Sequence, residues 1–121
     1  MNKKIIRPKK LRGTITPPGD KSISHRALMF NSIAGQTAHI NGILESEDIH
    51  ATINCLRQLG VAIDLQNDGS CRVKGSGING LKATERDLDC GNSGTTMRLL
   101  MGLIANIDGT VRLIGDESLQ S

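Results

Sequence analysis

Residues 19–27 read GDKSISHRA and residues 88–99 read LDCGNSGTTMRL. In both stretches a glycine is followed by apolar residues at helical spacing, which predicts a loop that leads into a helix. A shift of 72 positions brings the two stretches into register, and a shift of 73 places residues 37–42 over residues 110–115. The residues matched at the first shift are Gly19 with Gly91, Arg26 with Arg98, Leu28 with Leu100, and Met29 with Met101. This internal repeat predicts one complete unit of loop, helix and strand and the beginning of a second.

Apolar spacing predicts three helices. The first runs from about Ser22 to Ala34 and the third from the glycine loop to about Asn106. The second begins near Ser46, with acidic residues in its first turn, and ends at Gly60 as a C-terminal cap. The residues predicted to face the core are Ile23, Ala27, Phe30 and Ala34 in the first helix, Ile49, Ile53 and Leu56 in the second, and Met97, Leu100, Met101 and Ile104 in the third.

Short strands are predicted around these helices, in the order β-α-β-α-β-β-α-β, which indicates an α/β protein. The predicted strands are Thr37–Ile40, Val61–Leu65, Cys71–Lys74 and Thr110–Ile114, with Arg12–Thr16 as a further candidate. Asp68 and Gly69 lie between two of these strands and predict a hairpin turn. Residues 75–87, with three glycines, are predicted to form a loop or an irregular strand.

Composition limits the size of the domain and the kinds of partner that it can bind. The chain has 121 residues, of which 37% are hydrophobic, enough for one modest domain with a single core. Its one aromatic residue, Phe30, disfavours binding to single-stranded nucleic acid by base stacking. Six of the fifteen basic residues fall in the first twelve positions, so the net charge of +3 comes from a basic lead-in that we expect to be solvated.

Cysteine spacing and hydropathy indicate the compartment. Cys55, Cys71 and Cys90 lack the CxxC spacing of a zinc site and are odd in number, so they predict reduced thiols. A reactive Cys90 remains open, but a small buried thiol is the favoured interpretation. The sequence contains no apolar run long enough for a bilayer and no signal peptide, so we expect a cytoplasmic protein with no membrane or nucleic-acid partner.

Both glycine-led helix starts are suited to binding anions, because a helix N-terminus presents unpaired N–H groups and the positive end of the helix dipole. At the first, Lys21 and Ser22 add a cation and a hydroxyl, and Arg26 follows one turn later. At the second, Gly94 and Arg98 repeat the same four-residue spacing. Two simply capped helices would give the same pattern, so this alternative stays open.

The first helix start invites two further interpretations, and the sequence favours neither. A Walker loop requires Gly-Lys-Ser/Thr preceded by a glycine five positions earlier, and Asp20 between Gly19 and Lys21 breaks this pattern. His25 is a candidate general base, but no carboxylate in the sequence pattern orients it, which favours a structural role.

Residues 19–27 and 88–99 resemble, in order and spacing, two signature segments of the 5-enolpyruvylshikimate-3-phosphate synthase family, and residues 115–119 (GDESL) resemble a third. The resemblance implies transfer of the enolpyruvyl group of phosphoenolpyruvate to the 5-hydroxyl of shikimate 3-phosphate, with release of phosphate and no metal or organic cofactor. It also implies a fold of βαββαβ units, of which about one and a half are present here. Residues 1–18 would then be a basic lead-in and crossover strand, and residues 19–121 part of a substrate-binding domain.

The resemblance assigns roles to individual residues. It implies that Lys21 contacts both substrates and takes part in catalysis, and that Ser22 and Arg26 hold shikimate 3-phosphate. It places Asn92, Gly94 and Thr95 at the phosphoenolpyruvate site, with Arg98 as a further candidate.

Two other interpretations compete with this one. The sister family that acts on UDP-N-acetylglucosamine shares the fold, but its first helix loop is expected to resemble Gly-Ala-Lys-Asn. A non-catalytic anion-binding module is the other, because family members are several times longer and carry their proton-transfer residues in later segments. We therefore expect an N-terminal fragment that is inactive alone and works with the C-terminal portion of the same enzyme.

Overall fold

A computed structural model describes residues 3–120; Met1, Asn2 and Ser121, the outermost residues of the two predicted segments, lie outside the described residues. Three α-helices, five short strands and one turn of 3₁₀-helix follow an exposed segment, residues 3–18, that has neither helix nor strand. The elements are α1 (Lys21–Ile33), β1 (Thr37–Ile40), α2 (Glu47–Gln58), β2 (Ala62–Leu65), β3 (Cys71–Lys74), β4 (Leu88–Asp89), α3 (Gly94–Ile104), β5 (Leu113–Ile114) and the 3₁₀ turn Glu117–Leu119.

The strands form two small sheets. β3 lies between β1 and β2 and is antiparallel to both, with Ala38 and Ile63 each opposite Val73. β2 and β3 are joined by the predicted hairpin, in which Gly69 has a φ of 75°. The second sheet pairs β4 with β5 in parallel, so β4, α3 and β5 form one βαβ unit.

The core lies between the helices and the three-stranded sheet. α2 packs against α1, α3 and β4, and α1 packs against β3. Ile49, Ile53 and Leu56 of α2 are at most 1% exposed, which confirms the predicted inner face of this helix. Gly60 follows α2 with a φ of 95°, as expected of a residue that ends a helix.

The predicted buried face of α1 is wrong. Ile23 and Phe30 are 60% and 63% exposed, and Ala27 and the following Ala34 are only half-buried. The face that points inward carries Ser24, His25, Leu28, Met29 and Ser32.

Polar residues can occupy this inner face of α1 because their side chains find hydrogen-bond partners there, some in the same helix and some in distant segments. The Ser24 hydroxyl donates to the carbonyl of Asp20 (2.7 Å) and accepts from the backbone N–H of Leu44 (3.0 Å). The Ser32 hydroxyl donates to the carbonyl of Leu28 (2.7 Å). A hydroxyl with these partners is buried at little cost in free energy. The spacing of apolar residues in the sequence does not reveal such partners, so the prediction missed this face.

The third helix confirms part of its prediction. Leu100 is fully buried and Met97 and Ile104 are half-buried, whereas Met101 is 51% exposed, contrary to expectation. The internal repeat is visible in this burial, since Leu100 matches the fully buried Leu28. Met29 of α1 is 3% exposed, so the match at Met101 does not extend to its surroundings.

The strand predictions need four corrections, two in which strands exist and two in their bounds. Residues 12–16 are exposed and form no ladder with any described residue. Leu88–Asp89 forms a strand that the sequence did not predict, because two residues are too few for an alternating pattern. β1 and β3 have the predicted bounds, β2 begins one residue late, and only the last two residues of the predicted Thr110–Ile114 strand form β5.

Candidate anion-binding site at two helix starts

Asp20, and not Ser22, caps the start of α1. Its carboxylate Oδ1 accepts a hydrogen bond from the backbone N–H of Ile23 (2.7 Å), and its carbonyl accepts one from that of Ser24 (2.9 Å). The N–H groups of Lys21 and Ser22 donate to no acceptor within residues 3–120. The Ser22 side chain is exposed, so its hydroxyl and two backbone donors are available at this helix start.

The loop before α3 has the corresponding arrangement. Ser93 is the N-cap, and its hydroxyl oxygen accepts from the backbone N–H of Thr96 (3.1 Å). The backbone N–H groups of Asn92, Gly94 and Thr95 find no acceptor in the described part of the chain. These free donors belong to the three residues that the resemblance assigned to phosphoenolpyruvate.

The two glycines of this loop differ in what they do. Gly91 has a φ of 56°, and its N–H donates to Oδ1 of Asp89 (2.8 Å), so glycine is needed there for the turn. Gly94 does not have a positive φ. A Cβ at Gly94 would lie 3.6 Å from Nη1 of Arg98 and 3.5 Å from Cδ2 of Leu119, which are ordinary contact distances. Strain at Gly94, which positive φ would have implied, is therefore excluded.

The cations of the two helix starts have different surroundings. Lys21 Nζ lies 2.8 Å from Oδ2 of Asp48, and their side chains are 53% and 20% exposed. Arg26 and Arg98 are exposed, and neither forms an ion pair with a carboxylate of the described chain. Both guanidinium groups are therefore free to hold an anion through paired hydrogen bonds.

Asp48 joins the two helix starts. Its carboxylate binds Lys21 of α1, while its backbone carbonyl accepts from the hydroxyls of Thr52 (3.3 Å) and Thr96 (3.4 Å), the latter on α3. The sequence indicated Asp48 only as an acid in the first turn of α2. Its partners on α1 and α3 lie 27 and 48 positions away, a separation that no local pattern reports.

A buried chain of polar side chains runs beneath this site. His25 Nδ1 lies 2.8 Å from Oγ1 of Thr52, which lies 2.8 Å from Oγ1 of Thr96, which donates to Oγ of Ser93 (2.7 Å). All four residues are at most 1% exposed. Sequence reasoning missed Thr52 and Thr96, because a threonine on a helix carries no sign of a distant partner.

Burial of His25 favours its neutral form. Burial lowers its pKa most, the charge of Asp48 raises it, and that of Lys21 lowers it further. Its Nε2 atom is buried and has no hydrogen-bond partner in the described chain. An imidazole with no exposed surface cannot exchange a proton with a ligand, so the structural role favoured from the sequence fits its position.

The cysteines are all buried and reduced. Cys90 borders the glycine loop but has no exposed surface. Two causes hold the pKa of Cys55 far above its usual range: its hydrogen bond with Cys90, which has the larger effect, and its burial. The same hydrogen bond lowers the pKa of Cys90, but complete burial keeps reagents away from its thiol, which supports the structural interpretation of Cys90.

Comparison with known proteins gives a consistent result. The sequence model of the family described as EPSP synthase (3-phosphoshikimate 1-carboxyvinyltransferase) matches residues 5–121. A 3-phosphoshikimate 1-carboxyvinyltransferase of Herpetosiphon aurantiacus is 49% identical over 121 residues, which are 100% of this chain and 28% of that protein. One of Streptococcus equi subsp. equi is 53% identical over 112 residues, 92% of this chain and 26% of the relative.

The fold agrees with the sequence match. The solved EPSP synthase from Acinetobacter baumannii superposes with a TM-score of 0.84 at 46% identity, over 88% of this chain and 24% of that one. Among residues 3–120 no helix is both long and apolar enough to cross a bilayer. The chain spans about a quarter of the length of these relatives. With its α/β fold, its three motifs in register and this match over nearly its whole length, the chain belongs to the EPSP synthase family.

Proposed function

We propose that this chain forms the anion-gripping part of an enzyme that transfers the enolpyruvyl group of phosphoenolpyruvate to the 5-hydroxyl of shikimate 3-phosphate. The observation that carries the proposal is the pair of helix starts joined at Asp48, with their free N–H groups and nearby cations. Two anionic substrates that must react with each other require two adjacent anion sites. Membership of the EPSP synthase family supports this assignment.

Each helix start is assigned to one substrate. Ser22 and Arg26 hold shikimate 3-phosphate at the start of α1, through an exposed hydroxyl and a guanidinium that forms no ion pair within residues 3–120. Asn92, Gly94 and Thr95 hold phosphoenolpyruvate through their backbone donors, which suit a compact anion.

The remaining cations complete the assignment. Lys21, whose ammonium contacts Asp48 of α2, is assigned to both substrates and stabilises the charge that shifts between them during addition and elimination. Arg98, whose guanidinium lies beside Gly94, is assigned to the phosphoenolpyruvate side.

The groups described here bind and orient anions but do not move protons. Addition to and elimination from an enolpyruvyl group need a general acid and base, and His25 is too enclosed to act as either. We propose that the C-terminal portion of the same enzyme supplies these groups, with no cofactor, and that the enzyme works in the cytoplasm. The 121-residue chain alone is then an anion-binding module without turnover.

Genetic complementation tests the proposal. In a chimera, this chain replaces the aligned 121 residues of the Herpetosiphon aurantiacus relative. We expect the chimera to restore growth without aromatic amino acids to cells that lack this transferase, as the unaltered relative does. A chimera that folds, as judged by its melting curve, but does not support growth would leave only the non-catalytic module.

A further inference from the structure

We propose that Thr52 and Thr96 are positioning residues, which hold the start of α3 against the start of α1 so that the phosphoenolpyruvate donors point correctly. The inference rests on the proposed function and adds residues that themselves touch no ligand. Both threonines are fully buried, so any effect they have on a substrate passes through the groups they hold.

Donors and acceptors in the buried chain match in one direction. Nδ1–H of His25 donates to Thr52, the Thr52 hydroxyl donates to Thr96, and the Thr96 hydroxyl donates to Ser93. Each hydroxyl has one hydrogen, which this direction directs to the shorter contact (2.8 Å and 2.7 Å), and the Asp48 carbonyl, 3.3 Å and 3.4 Å away, is the weaker second acceptor of the same hydrogen. His25 Nε2 is then a bare lone pair, whereas the reverse direction would bury an N–H with no acceptor.

The two ends of this buried hydrogen-bond chain, at the starts of α1 and α3, are not held equally. The start of α1 is also fixed by Ser24, whose hydroxyl accepts from the backbone N–H of Leu44 (3.0 Å). At the start of α3, the hydroxyl of the N-cap Ser93 accepts both the N–H and the hydroxyl of Thr96. Loss of the link at Thr52 should therefore disturb the α3 start, and with it Gly94 and Thr95, more than the α1 start.

Thr52→Val and Thr52→Ser separate this role from packing. Valine keeps the volume and removes the hydroxyl, whereas serine keeps the hydroxyl and removes a buried methyl group. In the chimera, we expect Thr52→Val to raise the Michaelis constant for phosphoenolpyruvate about tenfold. The constant for shikimate 3-phosphate should change less than about twofold, and Thr52→Ser should restore the first constant to within about threefold of the parent.

A role in packing alone predicts the opposite order, because serine loses core volume and valine does not. Thr37→Val, which alters an exposed threonine on β1, is the matched control and should leave both constants unchanged. Equal effects of valine and serine at position 52, or an equal loss for both substrates, would overturn the inference.

A measurement on the 121-residue chain keeps this inference separate from the proposed function. Amide ¹⁵N–¹H spectra with increasing inorganic phosphate report the α3 start directly. We expect Thr52→Val to shift the Gly94 and Thr95 amides and weaken phosphate binding there, and Thr52→Ser to restore both. This outcome would stand even if the unaltered chimera were inactive and the proposed function failed. Spectra in which valine and serine are indistinguishable at Gly94 and Thr95 would refute the positioning role.

Discussion

Among single residues, Asp48 has the most connections between the two helix starts. Its carboxylate fixes the ammonium of Lys21, and its carbonyl accepts hydroxyls from α2 and α3. An exposed ion pair of this kind adds little to stability, so its value lies in where it holds the cation. The ion pair thereby holds the Lys21 ammonium at Asp48, whose carbonyl contacts Thr96 of α3.

Lys21→Ala in the chimera should therefore lower the turnover number and raise the Michaelis constants of both substrates. Removal of one charge-assisted hydrogen bond to each anion corresponds to about 1.5–3 kcal/mol, which is a factor of roughly ten or more in each constant. Lys82→Ala removes an exposed lysine that forms no ion pair in the described chain and is the control. Kinetics of the Lys21 variant that match those of the control would reduce Lys21 to a solvated surface residue.

Arg26→Lys tests the fork of the guanidinium. An ammonium keeps the charge but cannot make two parallel hydrogen bonds to one phosphate. We expect a raised Michaelis constant for shikimate 3-phosphate and an unchanged melting temperature, because Arg26 is exposed and makes no ion pair in residues 3–120. Steady-state kinetics in which lysine replaces arginine without loss would place the phosphate elsewhere.

Gly94→Ala should impair phosphoenolpyruvate binding without unfolding the chain. The added Cβ would lie at ordinary contact distances from Arg98 and Leu119, and φ at this position is not positive, so the fold has room for alanine. The methyl group nevertheless covers backbone donors at the helix start, which should raise the Michaelis constant for this substrate alone. Gly102→Ala on the same helix has nothing within 4 Å and should leave the kinetics unchanged. An equal loss for both substrates would assign Gly94 to the turn.

The buried His25 makes stability depend on pH. Its folded pKa lies below the ordinary value of about 6.5, so below that pH the unfolded chain binds a proton that the folded chain excludes. The free energy of unfolding should be level above about pH 6.5 and fall as the pH drops toward the folded pKa. Denaturant titrations of His25→Gln should lack this fall, while the exposed-residue control His50→Gln keeps it. A fall that persists in His25→Gln would trace it to other groups.

The elements of this fold are fixed by close backbone approaches as much as by apolar faces. A Cβ at Gly19 would lie 2.1 Å from the carbonyl oxygen of Gly42 and 2.7 Å from the nitrogen of Leu44. The segment before α1 therefore lies directly against the loop that leads to α2. This close approach gives Gly19 a structural role, although the repeat had matched it to Gly91 of the ligand loop.

Gly19→Ala should consequently unfold or strongly destabilise the chain, by more than about 3 kcal/mol, because neither contacting backbone can move freely. Gly35→Ala is the matched control, since that glycine has open space and no positive φ. Thermal melting of both variants decides the matter. A Gly19→Ala chain that melts with the parent would mean that this backbone approach is absent in solution.

The sequence predicted elements well where the apolar spacing was unambiguous and failed where polar groups are buried. All three helices and the hairpin were predicted. The buried face of α2 was also correct, because Ile49, Ile53 and Leu56 lie on one side of the helix and define a single apolar face. The α1 face failed because Ser24 and His25 are buried by specific hydrogen bonds. The candidate site residues were named from the resemblance of two motifs, whereas the buried hydrogen-bond chain beneath them could not be predicted, since its links join helices far apart in sequence.

Across the whole molecule, the two helix starts form one site only because α2 lies between α1 and α3. α2 packs against both, and its first turns carry the groups that contact each of them. In the function that we propose, this arrangement binds the two anionic substrates, and residues outside this chain transfer the protons. Binding and chemistry should therefore be separable by experiment.

Phosphate release from phosphoenolpyruvate and shikimate 3-phosphate is the measurement that tests this account most directly. It is followed for the 121-residue chain and for the chimera, each free of other transferases and matched in concentration. The account predicts turnover by the chimera, which Arg26→Lys lowers, and none by the chain alone, because anion-binding groups cannot complete addition and elimination without an acid and a base. Turnover by the chain alone, or a folded chimera that releases no phosphate, would contradict it.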